Sequence, residues 1–277
     1  MNLQRIRQEV WQSRYYRRHP IRIARFLGAK LSLARSRVET ASLLRGLGVD
    51  PESALSDFER WRPEFNDALS AIRKRGGEQG GISLEDGTVL YCLARTLQPR
   101  NVVETGIAAG ISTMFLSAAL IDNGAGQLYS IELPPDQVRD VRQDDGALFD
   151  WPDSGVAWAV PRKIREAIAD RHAIILQDVR VALPALLNRL PALDLFFHDD
   201  LHEAEHMLWE YRLVWKHLQE NGVLVSDDVN EAWIQFCHEA GLPKSSMSNI
   251  QRLAGARKLA SRMNDENRDL RLPSHSK

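Results

Sequence analysis

Asn101-Val-Val-Glu-Thr-Gly-Ile-Ala-Ala-Gly-Ile-Ser-Thr113 is the stretch from which the fold of this chain is read. Val102 and Val103 follow Pro99 as a short apolar run, which suits a buried strand of a parallel sheet. Glu104 closes that strand. Gly106 and Gly110 fall where a chain turning from strand to helix needs backbone freedom. Residues 111–120 read as the helix that follows, with Ser112 and Thr113 in its first turn. In open α/β sheets, ligands bind outside the carboxyl ends of the strands, so this turn is expected to form the floor of a cofactor site.

The glycine spacing narrows the cofactor. A dinucleotide site wants G-x-G-x-x-G, so that the backbone can approach a pyrophosphate. Here Ala108 and Ala109 stand where the second glycine would be, and Glu104 at the mouth is a poor neighbour for a pyrophosphate. An acid there suits a ligand carrying an ammonium or sulfonium charge. The next strand, Gln127-Leu-Tyr-Ser-Ile131, ends in Glu132, which is placed to accept hydrogen bonds from the hydroxyls of a ribose.

Val-Val-Glu-Thr-Gly-Ile-Ala-Ala-Gly-Ile-Ser-Thr followed by Leu-Tyr-Ser-Ile-Glu-Leu resembles the S-adenosylmethionine (SAM) site of class I methyltransferases. The resemblance implies an α/β fold, a doubly wound, mostly parallel seven-stranded Rossmann-like sheet. It implies SAM as cofactor, bound by Glu104, Gly106, Ala108, Gly110, Ser112 and Glu132. A third apolar strand over residues 172–177 leads to Asp178 and Val179, where the family contacts the adenine, and Asp178 matches the acid that accepts from the adenine amino group.

The fourth strand, residues 195–197, runs into His198-Asp-Asp-Leu-His202, and the fifth, residues 223–225, into Ser226-Asp-Asp-Val-Asn230. In the strand order that the chain resembles, these two strands are neighbours, about 4.8 Å apart. Asp199, Asp200, Asp227 and Asp228 then share one small volume. Carboxylates that close raise each other's pKa unless they share a cation, and an oxygen donor set suits Mg²⁺ or a similar divalent ion. The same segments resemble the Asp-Gly-Asp-His-Ser-Tyr and Phe-Asp-Asp motifs of metal-dependent small-molecule O-methyltransferases, including the catechol, caffeoyl-CoA, sugar and natural-product enzymes. Residue by residue, Asp199, Asp227 and Asp228 fall on the metal ligands and His202 on the motif histidine. Asp200 and Leu201 depart from the usual Gly-Asp.

The implied chemistry is O-methylation of a small hydroxylated acceptor: a sugar, a natural product or a catechol-like compound. An in-line displacement needs orientation. A weak alcohol nucleophile needs help, which a divalent ion near Asp199 and a general base at His202 would supply. His198 and His206 read only as a strand-end and a helix-surface residue.

Composition sets the remaining bounds. The chain has 277 residues, a 44% hydrophobic share and a formal net charge of −1, so nothing global draws it to nucleic acid. Two cysteines, Cys92 and Cys237, exclude a disulfide scaffold and fit a reducing compartment, and no signal-like or membrane-spanning run is present. A cytoplasmic protein is expected.

The organisation expected is a helical extension over residues 1–82, a SAM-dependent domain over 83–263 and a polar tail over 264–277. Residues 1–40 are rich in arginine, and read as an arm that packs on the domain or a second subunit, or that lies on a membrane surface. A homo-oligomer is expected. Asp50-Pro-Glu52 starts one helix, Pro63 starts another, and Ser83 with Asp86 forms a capping box. Residues 133–155 read as an active-site lid, and Trp151 and Trp158 either as lining an acceptor pocket or as buried packing. A last hairpin is placed at residues 247–251 and 256–259.

Other functions fit less of the chain. A nicotinamide-dependent oxidoreductase lacks its third glycine. A non-haem iron oxygenase leaves the glycine turn without a purpose. A base methyltransferase lacks an Asn-Pro-Pro-Tyr-like motif. A catalytically inactive methyltransferase-like assembly module is the non-enzymatic alternative.

Overall fold

Val102 and Val103 lie on opposite faces of β1 (Asn101–Thr105), and each belongs to a separate apolar core. The computed structural model describes residues 40–74, 82–134, 155–243 and 253–259. The arginine-rich arm, Trp151 and most of the expected lid, residues 247–251 and the tail from Asn264 lie outside the described residues.

The other strands are β2 (Gln127–Glu132), β3 (His172–Leu176), β4 (Leu193–His198), β5 (Leu218–Ser226) and β6 (Ala254–Arg257). Among the described residues they form one six-stranded sheet, where seven strands were expected, in the order β3-β2-β1-β4-β5-β6. Every pairing is parallel except that of β5 with β6. Chain order reverses at the β1–β4 boundary, where Thr105 is in register with His198. A crevice at that boundary is where a sheet of this kind takes its ligand.

The strand pleat sorts the core. Val102, Leu195, Phe197, Val223 and Val225 face one side, and Val103, Phe196 and Leu224 the other. Over the first face lie α1 (Glu52–Lys74), α2 (Leu84–Leu97), α3 (Ile111–Asn123) and α4 (Arg162–Ile168). Over the second lie α5 (Val179–Leu187), α6 (Ala204–His217) and α7 (Glu231–Glu239). Asp194 ties β4 to the start of β1, its Oδ2 accepting from the backbone N–H groups of Arg100 (3.0 Å) and Asn101 (2.8 Å).

Pro63 does not start a helix. It lies inside the 23-residue α1, whose buried residues Phe58, Trp61, Phe65, Ala68 and Ile72 keep one helical stripe across it. Continuous burial of that stripe outweighs the local disruption by the proline. Phe65 packs at a tilt against Phe58 and Phe115 with ring centroids 5.3 and 4.3 Å apart, so the helices before β1 share a core with the sheet. The Ser83–Asp86 capping box is present and opens α2. The fifth strand starts earlier than expected, at Leu218, because its pairing with β4 shifts between Leu193 and Leu195 and absorbs Asn221 and Gly222. Residues 254–257, within the second half of the expected hairpin, form β6, which pairs antiparallel with β5. Among the described residues, no helix is long and apolar enough to cross a membrane.

Candidate active site

The turn after β1 is held by the acids on either side of it. Gly106 and Gly110 take φ of 81° and 90°, and Ala108 takes 45°, so the turn uses left-handed backbone three times. A Cβ at Gly106 would come within 1.9 Å of the Asp199 carbonyl oxygen, and one at Gly110 within 2.6 Å of Val160 Cγ2. The glycines therefore let β4 and residues 157–160 close on the turn. Residues 157 and 159 donate backbone hydrogen bonds to the carbonyls of Ala108 and Ala109, both at 2.9 Å.

Glu132 Oε2 accepts from the backbone N–H of Ile107 (2.7 Å) and Ala108 (2.9 Å), and its Oε1 from that of Leu133 (2.9 Å). Three of its roughly four acceptor sites are thus occupied, leaving room for one further donor such as a ribose hydroxyl. Burial pushes its carboxyl pKa up, against the pull of those backbone donors. Glu104 is fully buried. Its Oε1 accepts from Thr113 Oγ1 (2.6 Å) and Ser130 Oγ (2.5 Å), while Oε2 has no hydrogen-bond partner. Burial pushes the Glu104 pKa up to about 7. Ser130 in turn meets His172 Nε2 at 2.8 Å, and burial lowers the His172 pKa to about 4, so the neutral ring is the donor in this chain. Ser112 is buried beside Glu104 and helps to hold its charged form.

At the end of β3, Asp178 is exposed and caps α5, its Oδ1 accepting from the Arg180 N–H at 2.7 Å. Val179 packs against the second core. These two residues stand at the strand end that sequence assigns to the cofactor, and in this structure they serve the helix start.

Across the turn stand the ends of β4 and β5. Asp199 N–H bonds to the Thr105 carbonyl and Asp227 N–H to the His198 carbonyl, both at 2.9 Å, which lines up β1, β4 and β5. His202 faces two acids, with Nδ1 3.2 Å from Asp228 Oδ2 and Nε2 3.7 Å from Asp199 Oδ1. Burial, with the neighbouring acids, raises the Asp199 pKa well above the ordinary carboxylate range and that of Asp227 to about 8. Asp86, which sequence reasoning gave only a capping role, joins this group from α2. Burial lifts its pKa to about 6, with Asp228 adding to the rise. The four acids foreseen from sequence are not equal: Asp199 and Asp228 meet His202, Asp227 acts on them only through its charge, and Asp200 turns the other way.

Asp200 joins a ring beneath the strand ends. His198 Nδ1 lies 2.8 Å from Glu210 Oε2 and 3.3 Å from Asp200 Oδ1. His206 Nε2 lies 3.2 Å from Asp200 Oδ2 and 3.5 Å from Glu210 Oε1. Thr105 Oγ1 donates to Glu210 at 3.0 Å. His206 is therefore buried and not on the helix surface, because its face of α6 also carries Glu210 one turn on. That i,i+4 His–Glu pair was the available signal. Burial raises the Asp200 pKa. Burial opposes both remaining shifts: the two histidines nevertheless hold Glu210 down at about 2, and the two acids lift His206 to about 10. Among the described residues, His198, Asp200 and Glu210 form a set whose ligand atoms all lie within 4.8 Å of one another.

Residues 103–229 match the family model described as a methyltransferase domain. Among the curated proteins none matches the chain. Similar solved structures include the O-methyltransferase TomG from Streptomyces achromogenes, described as involved in tomaymycin synthesis and in complex with SAM (20% identity, 64% of this chain and 74% of that chain, TM-score 0.45). Others are the O-methyltransferase from Bacillus cereus in complex with SAH (16%, 64% and 76%, 0.46) and the Podospora anserina methyltransferase PaMTH1 bound to SAH (14%, 71% and 88%, 0.49).

Proposed function

We propose that the chain, whose residues 103–229 match a family model described as a methyltransferase domain, is a class I SAM-dependent methyltransferase that transfers a methyl group from SAM to a hydroxyl of a small acceptor, a sugar, natural product or catechol-like compound. The observation that carries this reading is a juxtaposition. Glu104, with a buried carboxylate oxygen that has no partner, stands beside the glycine turn, and His202 with Asp199 and Asp228 stands at the neighbouring strand ends.

The residues fit the cofactor. Glu104 Oε2 is an unsatisfied acceptor suited to an ammonium group, and Glu132 keeps one acceptor site beside the turn. SAM supplies an electrophilic methyl on a sulfonium, so the chain need form no covalent intermediate. His202 would take the proton that the acceptor hydroxyl loses as its oxygen gains the methyl group. The carboxylate of Asp228 orients the His202 ring and stabilises the imidazolium. Asp199, Asp227 and Asp228 offer hard oxygen donors for a divalent cation such as Mg²⁺, which would offset the burial and, with it, the mutual repulsion that raise the Asp199 and Asp227 pKa values, and would lower the pKa of a bound hydroxyl.

The test is calorimetric titration of the full chain with SAM and S-adenosylhomocysteine, with and without Mg²⁺. A screen of hydroxylated acceptors follows, using SAM labelled in its methyl group. Binding that is lost in Glu104→Ala, together with label incorporated into an ether, supports the reading. Folded protein that binds neither nucleoside overturns it in favour of an assembly module.

A further inference from the structure

The ring beneath β4 is unused by methyl transfer, and it is costly. Two carboxylates and two imidazoles are buried together: His198 and Glu210 are fully buried, His206 is 7% exposed and Asp200 17%. We infer that His198, Asp200 and Glu210 form a second metal site, for a divalent transition ion of the Zn²⁺ class, lying below the Asp199–Asp227–Asp228 group.

The geometry supports this on its own. Metal–ligand bonds of about 2.0–2.2 Å place neighbouring donors roughly 3–3.5 Å apart. His198 Nδ1 stands 3.3 Å from Asp200 Oδ1 and, at hydrogen-bond distance in the metal-free ring, 2.8 Å from Glu210 Oε2, and ligand atoms of all three residues fit within 4.8 Å. One oxygen of this set, Asp200 Oδ1, is buried with no hydrogen-bond partner. A ring made only to neutralise itself by ion pairing would be expected to satisfy it. One imidazole with two carboxylates is a donor set that suits Zn²⁺ or Mn²⁺ better than a hard ion held by oxygens alone. His206 then acts from outside the set. Its Nε2 lies within 3.2 and 3.5 Å of the second oxygens of Asp200 and Glu210, as an outer partner that orients metal-bound carboxylates.

Such an ion would have a positioning role. It would pin the end of β4 to α6. Asp199 follows His198 directly, and His202 opens the same connection, so fixing His198 and Asp200 fixes the side chains on the other face.

The test uses the full chain, stripped with a chelator, reloaded with Zn²⁺ and passed over a desalting column before metal analysis. SAM binding is measured on the same samples. Wild type should retain Zn²⁺ in stoichiometric amount, and Asp227→Ala should retain it too. Asp200→Asn and Glu210→Gln should weaken Zn²⁺ by at least the roughly 10–100-fold that losing an outer partner of a metal ligand costs. Substitution with Co²⁺ should give visible ligand-field bands that Asp227→Ala keeps and Asp200→Asn loses. If Glu210→Gln does not fold, Asp200→Asn carries the test, since its side chain is the most exposed of the three. Folded wild type that retains no Zn²⁺ overturns the proposal. So does retention that is lost in Asp227→Ala but kept in Asp200→Asn. The inference does not rest on the methyl-transfer reading: Zn²⁺ retained without SAM binding sinks that reading alone.

Discussion

Ser130 donates a hydrogen bond to Glu104 across the β1–β2 pairing, at 2.5 Å, inside a fully buried site. That bond and the one from Thr113 hold one carboxylate oxygen and leave the other bare. Together they favour the charged form, yet burial wins and the pKa rises to about 7. The first prediction follows from the sign of this shift. Below the ordinary value of 4.5, Glu104 is protonated in both folded and unfolded chains. Between 4.5 and about 7 the unfolded chain gives up its proton first, so stability falls as pH rises through that window. Glu104→Gln removes this dependence. Chemical denaturation at pH 5 and pH 8 should show the variant gaining stability relative to wild type at the higher pH, by about 1–3 kcal/mol. A constant difference at the two pH values would refute the assignment.

Cofactor binding should respond in the opposite sense. An ammonium group beside Glu104 Oε2 would hold the carboxylate charged, so SAM affinity should rise as pH passes about 7 and flatten in Glu104→Gln. Titrations across pH 6 to 8.5 in one buffer system would check this. Equal slopes in the two proteins would place the ammonium elsewhere.

Gly87 gives a packing test with an unusual sign. Alanine in a helix interior ordinarily gains about 1 kcal/mol over glycine. A Cβ at Gly87, in α2, would come within 2.1 Å of the Phe115 ring, which is itself stacked on Phe58 and packed against Phe65. Gly87→Ala should therefore destabilise the protein by roughly 1–3 kcal/mol. Phe115→Leu in the same chain should recover part of the loss. Additive effects of the two substitutions would show that the helices separate without strain.

The central turn was legible because glycine spacing and strand-end acids are local signals. Glu104, Gly106, Gly110 and Glu132 all bear on one turn, and the Ser83–Asp86 box caps the helix it was read to cap. The β4–β5 adjacency followed from the strand order, and it brought Asp199 and Asp228 to His202. What sequence hid depends on facing directions across elements. Pro63 reads as a helix start until the buried Phe58–Phe65 stripe shows that α1 runs through it. His198, His206 and Glu210 carry no motif. Their meeting depends on a strand end and a helix face closing on each other, which only packing decides.

His202 separates chemistry from binding. Its ring lies 3.2 Å from Asp228 Oδ2 and 3.7 Å from Asp199 Oδ1, at the ends of β4 and β5. As a general base it contributes to the reacting complex and not to holding the cofactor, so His202→Gln should leave SAM affinity within about twofold while lowering kcat by roughly 10²–10⁴-fold. Asp228→Asn should give a smaller loss of the same kind, because the amide still orients the ring but no longer stabilises its cationic form. Loss of SAM binding in step with kcat, or an unchanged kcat, would assign proton removal to another group, with Asp199 the next candidate.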